Sequence, residues 1–131
     1  MWSDPIADFL TRLRNAVRNG SKQVTMPYSR TKADICRVLQ EEGYILGYDK
    51  IDDARSGLLR IDLKYGPTGE RLLRMIRRES KTGGRRYCSW TDIPRVLNGM
   101  GIAVVSTNQG VLSDRQCRQR RIGGELVCTI Y

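Results

Sequence analysis

The sequence contains no histidine. Histidine is the side chain that most often acts as a general base near neutral pH, and it is a common zinc ligand. Its absence argues against His-activated nucleophiles and excludes mixed Cys/His zinc sites. A hydrolase or transferase that uses Ser106 or a cysteine stays open as an alternative, but a lysine or a carboxylate would then have to act as the base.

Cysteine is scarce and widely spaced. The sequence has four cysteines, and no two of them form the C-x-x-C pair typical of zinc or redox sites. We expect reduced and mostly buried thiols, as in a cytosolic protein, and we predict neither a metal nor a cofactor. The cysteines are Cys36, Cys88, Cys117 and Cys128.

Long apolar runs are also missing. No stretch approaches the roughly 20 residues that cross a bilayer, and the first ten residues lack the basic and apolar regions of a signal peptide. The sequence has no phosphate-binding glycine loop. We therefore expect a cytoplasmic protein without a membrane partner, whose 40% apolar content suffices for a core.

Acidic residues are few in the second half of the chain. Residues 1–65 carry 11 lysines and arginines against 9 acidic residues, a net charge of +2. Residues 66–131 carry 12 against 5, a net charge of +7. This asymmetry favours a polyanionic partner, usually nucleic acid. An anionic membrane surface is the competing interpretation, but the second half shows no long basic amphipathic helix.

The first half of the sequence predicts the order helix, strand, helix, strand, strand. Helix caps, apolar residues at helical spacing and glycine stops mark the two helices. Runs of β-formers around a polar loop mark a hairpin. The helices are expected from Asp4 to Gly20 and from Ser29 to Gly43, and the strands at 24–26, 44–51 and 58–64.

The segment YGPTG at 65–69 interrupts this pattern and coincides with the change in charge. We predict an α+β protein of two small domains, an N-terminal α-β-α-β-β unit at 1–65 and a mostly β domain with short helices at 66–131. In the second domain we expect a strand within 71–80, a basic turn at 81–86, a strand at 87–90, a helix capped by Thr91 through 93–97, a hairpin at 101–113, a helix at 114–118 and a last strand at 125–131.

Two groups of basic residues lie in the second half, at 71–86 and 115–121. Tyr87 and Trp90 follow the first group, and aromatic rings beside arginines suit unpaired RNA bases. For Trp90 a place in the core is the preferred interpretation, whereas Tyr87 is equally compatible with the core and with RNA.

The segment GIAVVSTNQGVLSD at 101–114 predicts two strands joined by a turn of small polar side chains. Such side chains can bind a ribose 2′-hydroxyl or a base edge. Ordinary turn chemistry explains the same residues equally well, so the segment alone leaves both interpretations open.

Five segments of the chain resemble the bacterial small-subunit ribosomal protein S8 family in order and spacing. They are DPIADFLTRLRNA, MPYSRTKADICRVLQEEGYI, SKTGGRRY, IPRVLNGMGIAVVSTNQGVLSD and IGGELVC. The resemblance implies a two-domain, non-catalytic protein that binds the central domain of small-subunit ribosomal RNA early in assembly, beside neighbouring small-subunit proteins. It also implies that the C-terminal domain makes most of the contact.

The resemblance also implies site residues. The family's Ser-Thr-x-x-Gly turn falls on Ser106, Thr107 and Gly110, whereas Gln109 stands where the family commonly has lysine. Glu125 would either accept from a base or hold an arginine in place. The expected RNA-binding residues are Ser106, Thr107, Asn108, Gly110, Lys81, Arg85, Arg86, Tyr87, Glu125 and Arg115, with Thr11, Arg14 and Lys32 in the N-terminal domain.

A second function stays open at this point. Some members of the family repress translation by binding the messenger RNA of their own operon. The same residues would form that surface, so the sequence does not separate a ribosomal constituent from a translational repressor.

Overall fold

The computed structural model describes residues 4–131, and the predicted α+β fold class is confirmed. The helices are α1 (Pro5–Arg18), α2 (Arg30–Glu41) and α3 (Asp114–Arg120), with a 3-10 helix at Val96–Gly99. The strands are β1 (Gln23–Pro27), β2 (Ile45–Ile51), β3 (Leu58–Leu63), β4 (Ile76–Arg78), β5 (Tyr87–Cys88), β6 (Ile102–Thr107), β7 (Gly110–Ser113) and β8 (Gly124–Ile130). They form two antiparallel sheets, ordered β1-β3-β2 and β4-β8-β6-β7, with β5 also paired to β8.

One compact unit comprises Asp8–Leu73. Its central strand β3 alternates buried and half-buried residues, because one face of the sheet is covered and the other is not. Both neighbours pair with it in register, so that Val24 and Tyr48 lie on either side of Ile61. The predicted order α-β-α-β-β is confirmed. The buried side chains of this unit include Phe9, Leu10, Leu13, Met26, Ile35, Leu39, Leu59 and Ile61.

The second compact unit comprises Arg74–Tyr131 together with residues 4–7. Strand β8 is its centre, because it pairs with β4, β5 and β6. The register of β6 against β8 shifts between Val104 and Val105, where Val127 of β8 is left without a partner on β6 as in a β-bulge, and α3 covers one face of these strands. The core of that face consists of Ile93, Ala103, Val105, Leu112, Cys117 and Leu126.

Helix α3 starts at a complete capping box. The Ser113 hydroxyl accepts from the Gln116 amide at 3.3 Å, and the Gln116 side chain accepts from the Ser113 amide at 3.1 Å. The buried Asp114 accepts from the Ala103 amide at 3.2 Å and pairs with Arg118 at 2.6 Å. The helix predicted at 114–118 is confirmed, and the Asp114 side chain ties it to β6 and to Arg118 in its own next turn.

Two predicted elements of the second half differ from the structure. The strand expected within 71–80 is limited to Ile76–Arg78. The helix expected through 93–97 is wrong, since only a 3-10 helix at Val96–Gly99 forms, with Leu97 and Asn98 at φ +47° and +53°. Pro94 explains this, because it lacks an amide hydrogen and disfavours helical backbone in the residue before it.

Trp90 is exposed, so its expected place in the core is wrong. The expectation of mostly buried thiols is confirmed, because Cys36, Cys117 and Cys128 are buried and Cys88 is half-buried. Burial raises the pKa of Cys36 and of Cys128 to about 12. None of the helices within residues 4–131 is long and apolar enough to cross a membrane.

The domain boundary at residue 65 stays a prediction. The two compact units meet between Leu73 and Arg74 in the sequence. The segment 65–69 lies inside the first unit, where the Tyr65 hydroxyl donates to the Ser21 carbonyl at 2.5 Å.

Gly124 sets how closely β8 can approach β6. A Cβ atom on Gly124 would lie 2.1 Å from the Ser106 carbonyl oxygen and 3.1 Å from the Thr107 Cα. We therefore predict that Gly124→Ala lowers the free energy of unfolding by about 1 to 3 kcal/mol, as overpacking does in well-packed interiors. Urea unfolding of the full chain measures this.

Gly83→Ala is the matched control, because a Cβ there meets no atom within 4 Å. We expect its free energy of unfolding to stay within about 0.5 kcal/mol of the wild type. Equal stability of the two variants would contradict the importance of this close approach.

The Asp4 carboxylate contacts both the first turn of α1 and Arg78 on β4. Its Oδ1 accepts from the Ala7 amide at 3.1 Å, and its Oδ2 lies 3.1 Å from Arg78 Nε. Burial raises the pKa of Asp4, but the hydrogen bonds from Arg78 and Ala7 outweigh it, so the pKa lies below its ordinary value. The stabilisation is thus present above the unfolded pKa of about 3.9 and is lost as the pH falls through the folded value.

We predict that Asp4→Asn lowers the free energy of unfolding at pH 7 by about 1 to 3 kcal/mol, since asparagine keeps the cap and loses the ion pair. The difference from the wild type should shrink as the pH falls below about 3.9. Urea unfolding at pH 7 and pH 3 measures it, and a difference that is the same at both would contradict the role of the Asp4 charge.

Candidate nucleic-acid interface

Three of the predicted site residues lie in one row across the second sheet. In the register of the strands, Tyr87 on β5 is opposite Glu125 on β8, and Glu125 is opposite Ser106 on β6. Paired residues of antiparallel strands point to the same face with Cβ atoms roughly 4.5 to 5.5 Å apart. The row Tyr87–Glu125–Ser106 is therefore a continuous strip, on the face of the sheet opposite to Val105 and Leu126.

A glycine pair permits this row. Gly123 lies against the Cys88 carbonyl oxygen, where a Cβ would come within 2.2 Å, and Gly124 lies equally close to the Ser106 carbonyl. Both positions are thus closed to any side chain. The double glycine before Glu125 is the place where β8 fits between its two neighbours.

The turn at the end of β6 is held together by Thr107. Its hydroxyl donates to the Gly110 carbonyl at 2.7 Å and accepts from the Gln109 amide at 3.0 Å. Gly110 has φ +105°, a backbone conformation that residues with a side chain rarely adopt. Thr107 therefore shapes the turn, while Asn108 and Gln109 are exposed at its tip.

Glu125 holds an arginine. Its Oε2 accepts from Arg85 Nη1 at 2.9 Å and from the buried Ser80 hydroxyl at 2.6 Å. The Ser80 hydroxyl in turn accepts from the Arg86 amide at 3.0 Å. Of the two roles that the sequence left open for Glu125, the structure shows the positioning of Arg85. A contact between Glu125 and a base stays a prediction.

A second carboxylate lies beneath the basic turn at 81–86. Glu79 accepts from Arg86 Nη1 at 2.7 Å and from the Thr129 hydroxyl at 2.8 Å, and it lies 3.7 Å from Arg77 Nε. Its Oε1 thus binds Arg86, and its Oε2 faces Arg77. Sequence reasoning missed Glu79 and Ser80, because their partners are brought near only by the pairing of β4 and β5 with β8.

The basic turn presents its cations to solvent. A bridge between Lys81 and Gly84 closes it, and Lys81, Arg85 and Arg86 are exposed. Tyr87, which follows, is 70% exposed. This exposure decides between the two interpretations of Tyr87 in favour of the surface.

Two arginines of the basic groups serve the fold. Arg78, only 11% exposed, binds Asp4 and donates to the Val127 carbonyl at 2.9 Å. Arg118, 17% exposed, binds Asp114 and donates to the Ile93 and Pro94 carbonyls. Their charges are compensated by these partners, so they add little to a surface for polyanions.

The other predicted site residues lie apart from this strip or in the first unit. Arg115 is exposed on α3, and Thr11 is exposed on α1, where Arg14 is half-buried. Lys32 is 7% exposed and donates through Nζ to the Pro27 carbonyl at 3.1 Å. Contacts of these four residues with RNA stay predictions, and for Lys32 little of the side chain is accessible.

The strip, with Arg85 and Arg86 beside it and the Thr107 turn at its end, has the chemistry of a binding surface. It combines exposed guanidinium groups, an exposed phenol ring and small polar groups at a turn. Within residues 4–131, no group of three or more His, Cys, Asp or Glu side chains is arranged to hold a metal ion.

Known proteins with similar sequences belong to one family. The family model for ribosomal protein S8 matches residues 4–131. The small ribosomal subunit protein uS8 of Clostridioides difficile (strain 630) is 47% identical over 129 residues, 98% of each chain. The protein of that name from Thermodesulfovibrio yellowstonii is 44% identical over 131 residues, 100% of each chain. The chain belongs to the ribosomal protein S8 family.

Proposed function

We propose that this chain is a non-catalytic constituent of the small ribosomal subunit, in the cytoplasm, and that it binds the central domain of small-subunit ribosomal RNA directly. The relatives are named as a small ribosomal subunit protein, and the match to them covers 98% to 100% of each chain. A particle built on RNA suits a chain of net charge +9. Residues 66–131 would make most of the contact, as their net charge of +7 suggests.

The single observation that carries the proposal is the row Tyr87–Glu125–Ser106 with the turn of Thr107 at its end. The sequence separates these residues by up to 38 positions, and the register of β8 puts them side by side. A surface with one stacking ring, oriented cations and small polar groups matches the needs of irregular RNA, which is recognised by shape, by unpaired bases and by 2′-hydroxyls.

The strip and the residues beside it each have a chemical role in this proposal. Arg85 and Arg86, fixed by Glu125 and Glu79, bind phosphates with little loss of side-chain entropy. Tyr87 stacks on an unpaired base. Ser106 and Asn108 bind 2′-hydroxyls or base edges, while Thr107 and Gly110 keep the turn in shape.

The enzyme alternative gains no support from the geometry. Glu125, the carboxylate beside Ser106 in the row, already accepts hydrogen bonds from Arg85 and Ser80, and among the described residues no hydrogen bond joins it to the Ser106 hydroxyl, as a general base would need. Cys36 and Cys128 are buried with a raised pKa, and a buried protonated thiol is a poor nucleophile.

Other partners follow from the same assignment. Neighbouring small-subunit proteins would contact surfaces outside the strip. The operon messenger RNA would compete for the strip itself if it offered a similar irregular helix.

We predict that Thr107→Ala weakens binding to a central-domain fragment of small-subunit ribosomal RNA by about 1 to 3 kcal/mol, because the turn loses both hydrogen bonds of the hydroxyl. Binding to a random RNA duplex should change much less. Filter binding with both RNAs measures this, and Thr107→Ser, which keeps the hydroxyl, is the matched control. Equal losses on both RNAs would show that the turn does not recognise the cognate RNA.

We predict opposite effects of Glu125→Gln on two RNAs. The change removes a negative charge, so binding to random duplex should tighten slightly. Binding to the cognate fragment should weaken about fivefold or more, because Arg85 loses its charge-assisted hydrogen bond. A salt series with filter binding separates these effects.

Arg85→Ala is the companion variant. It should weaken binding to both RNAs and reduce the salt slope by about one. Tighter binding of Glu125→Gln to both RNAs would show that Glu125 contributes only its charge and does not position Arg85.

A further inference from the structure

Four residues beside the same turn form an aromatic and cationic cluster that the strip does not include. They are Gln109 at the tip of the turn, Arg120 and Arg121 at the end of α3, and Trp90 after β5. We propose that this cluster is a second RNA contact, in which an unpaired base stacks on Trp90 and Arg121. The inference rests on the proposed function and extends it to a pairing of Trp90 with Arg121 that the sequence did not predict, since the pattern favoured a place in the core for Trp90.

Trp90 is presented by a tight, hydrogen-bonded turn. The Asp92 amide donates to the Ser89 carbonyl at 3.0 Å, and the Ser89 hydroxyl donates to Asp92 Oδ2 at 3.0 Å and lies 2.9 Å from the Thr91 hydroxyl. These bonds hold Trp90 at the surface with 36% of the residue exposed. They also hold the Asp92 carboxylate against the Ser89 hydroxyl.

Arg121 adopts a backbone conformation that glycine would occupy more easily. It caps the end of α3 with φ +55° and ψ +43°, in the left-handed region. Its guanidinium carbon lies over the Trp90 ring at 6.0 Å from the centroid. An arginine is therefore placed against an exposed indole at a position where the backbone alone favours glycine.

The cluster is continuous with the turn of Thr107. Arg120 Nη1 donates to Gln109 Oε1 at 3.2 Å, which brings a guanidinium to the tip although Gln109 itself is neutral. Gly123, packed against Cys88 and Ser89, keeps the end of α3 close to the turn that carries Trp90. A strand of RNA that follows the turn would meet Arg120 first and Trp90 beyond it.

The chemistry of this pair fits a nucleobase. Indole has the largest aromatic face among the side chains, and the planar guanidinium can stack on a base while its hydrogens reach a phosphate. Replacing an aromatic side chain that stacks on a base with alanine weakens binding roughly tenfold or more. A buried role does not explain the ring, since more than a third of Trp90 is exposed.

The test uses the full chain, a central-domain fragment of small-subunit ribosomal RNA and a random duplex. We expect Trp90→Ala to weaken binding to the fragment about tenfold, with a smaller effect on the duplex and near wild-type binding for Trp90→Phe. In a Trp2→Phe background Trp90 is the only tryptophan, and the fragment should quench its fluorescence in proportion to binding.

Arg121→Gly separates function from folding. Glycine relieves the left-handed backbone, so urea unfolding should show equal or greater stability. Binding to the fragment should nevertheless weaken about threefold to tenfold, as expected for a lost stacking cation. Arg121→Lys, which keeps the charge without the plane, should show an intermediate loss.

The outcomes distinguish this inference from the function on which it rests. If the wild type prefers the fragment over the duplex but Trp90→Ala and Arg121→Gly bind as the wild type does, without quenching, the second contact is overturned and the proposed function stands. If the wild type shows no preference for the fragment, the proposed function itself fails. Quenching together with both losses supports the second contact.

Discussion

The close approach of β8 to β5 and β6 is the constraint on which the second unit depends. Gly123 and Gly124 leave no room for a side chain against the Cys88 and Ser106 carbonyls. Because the strands meet there, Tyr87, Glu125 and Ser106 share one row, and the Ser80 hydroxyl reaches Glu125. A single extra carbon at this point would disturb both the sheet and the candidate site.

The arginines of the two basic groups, at 71–86 and 115–121, do not all have the same physical role. Arg78 and Arg118 are largely buried, and each is neutralised by an aspartate and by backbone carbonyls. Arg85 and Arg86 are exposed, and each is held at one end by a glutamate. Burying a charge is costly without a partner, whereas an exposed guanidinium fixed by one carboxylate keeps donors for a phosphate. Net charge therefore indicates the kind of partner, and burial decides which arginines can reach it.

Much of the fold could be predicted from local patterns. Caps such as Ser29 and Ser113, apolar spacing and glycine stops were sufficient for the three α-helices and for most strands. The errors lie where local signals conflict. Thr91 suggested a helix that Pro94 prevents, and the basic segment 71–80 forms a strand of only three residues. For the candidate site, the register placed the hairpin turn beside Tyr87 and Glu125, but Trp90 was assigned to the core because no local pattern reports its exposure.

The sequence by itself determined the order of elements, the charge asymmetry between the halves and the family, because these depend on residue identity and short-range spacing. Only the tertiary structure decided that Glu125 holds Arg85 and that Arg121 lies over Trp90. Those facts depend on strand register and on which side chains are buried. Both arise from packing between segments that are distant in the sequence, such as those of Arg85 and Glu125, and local sequence carries no record of such packing.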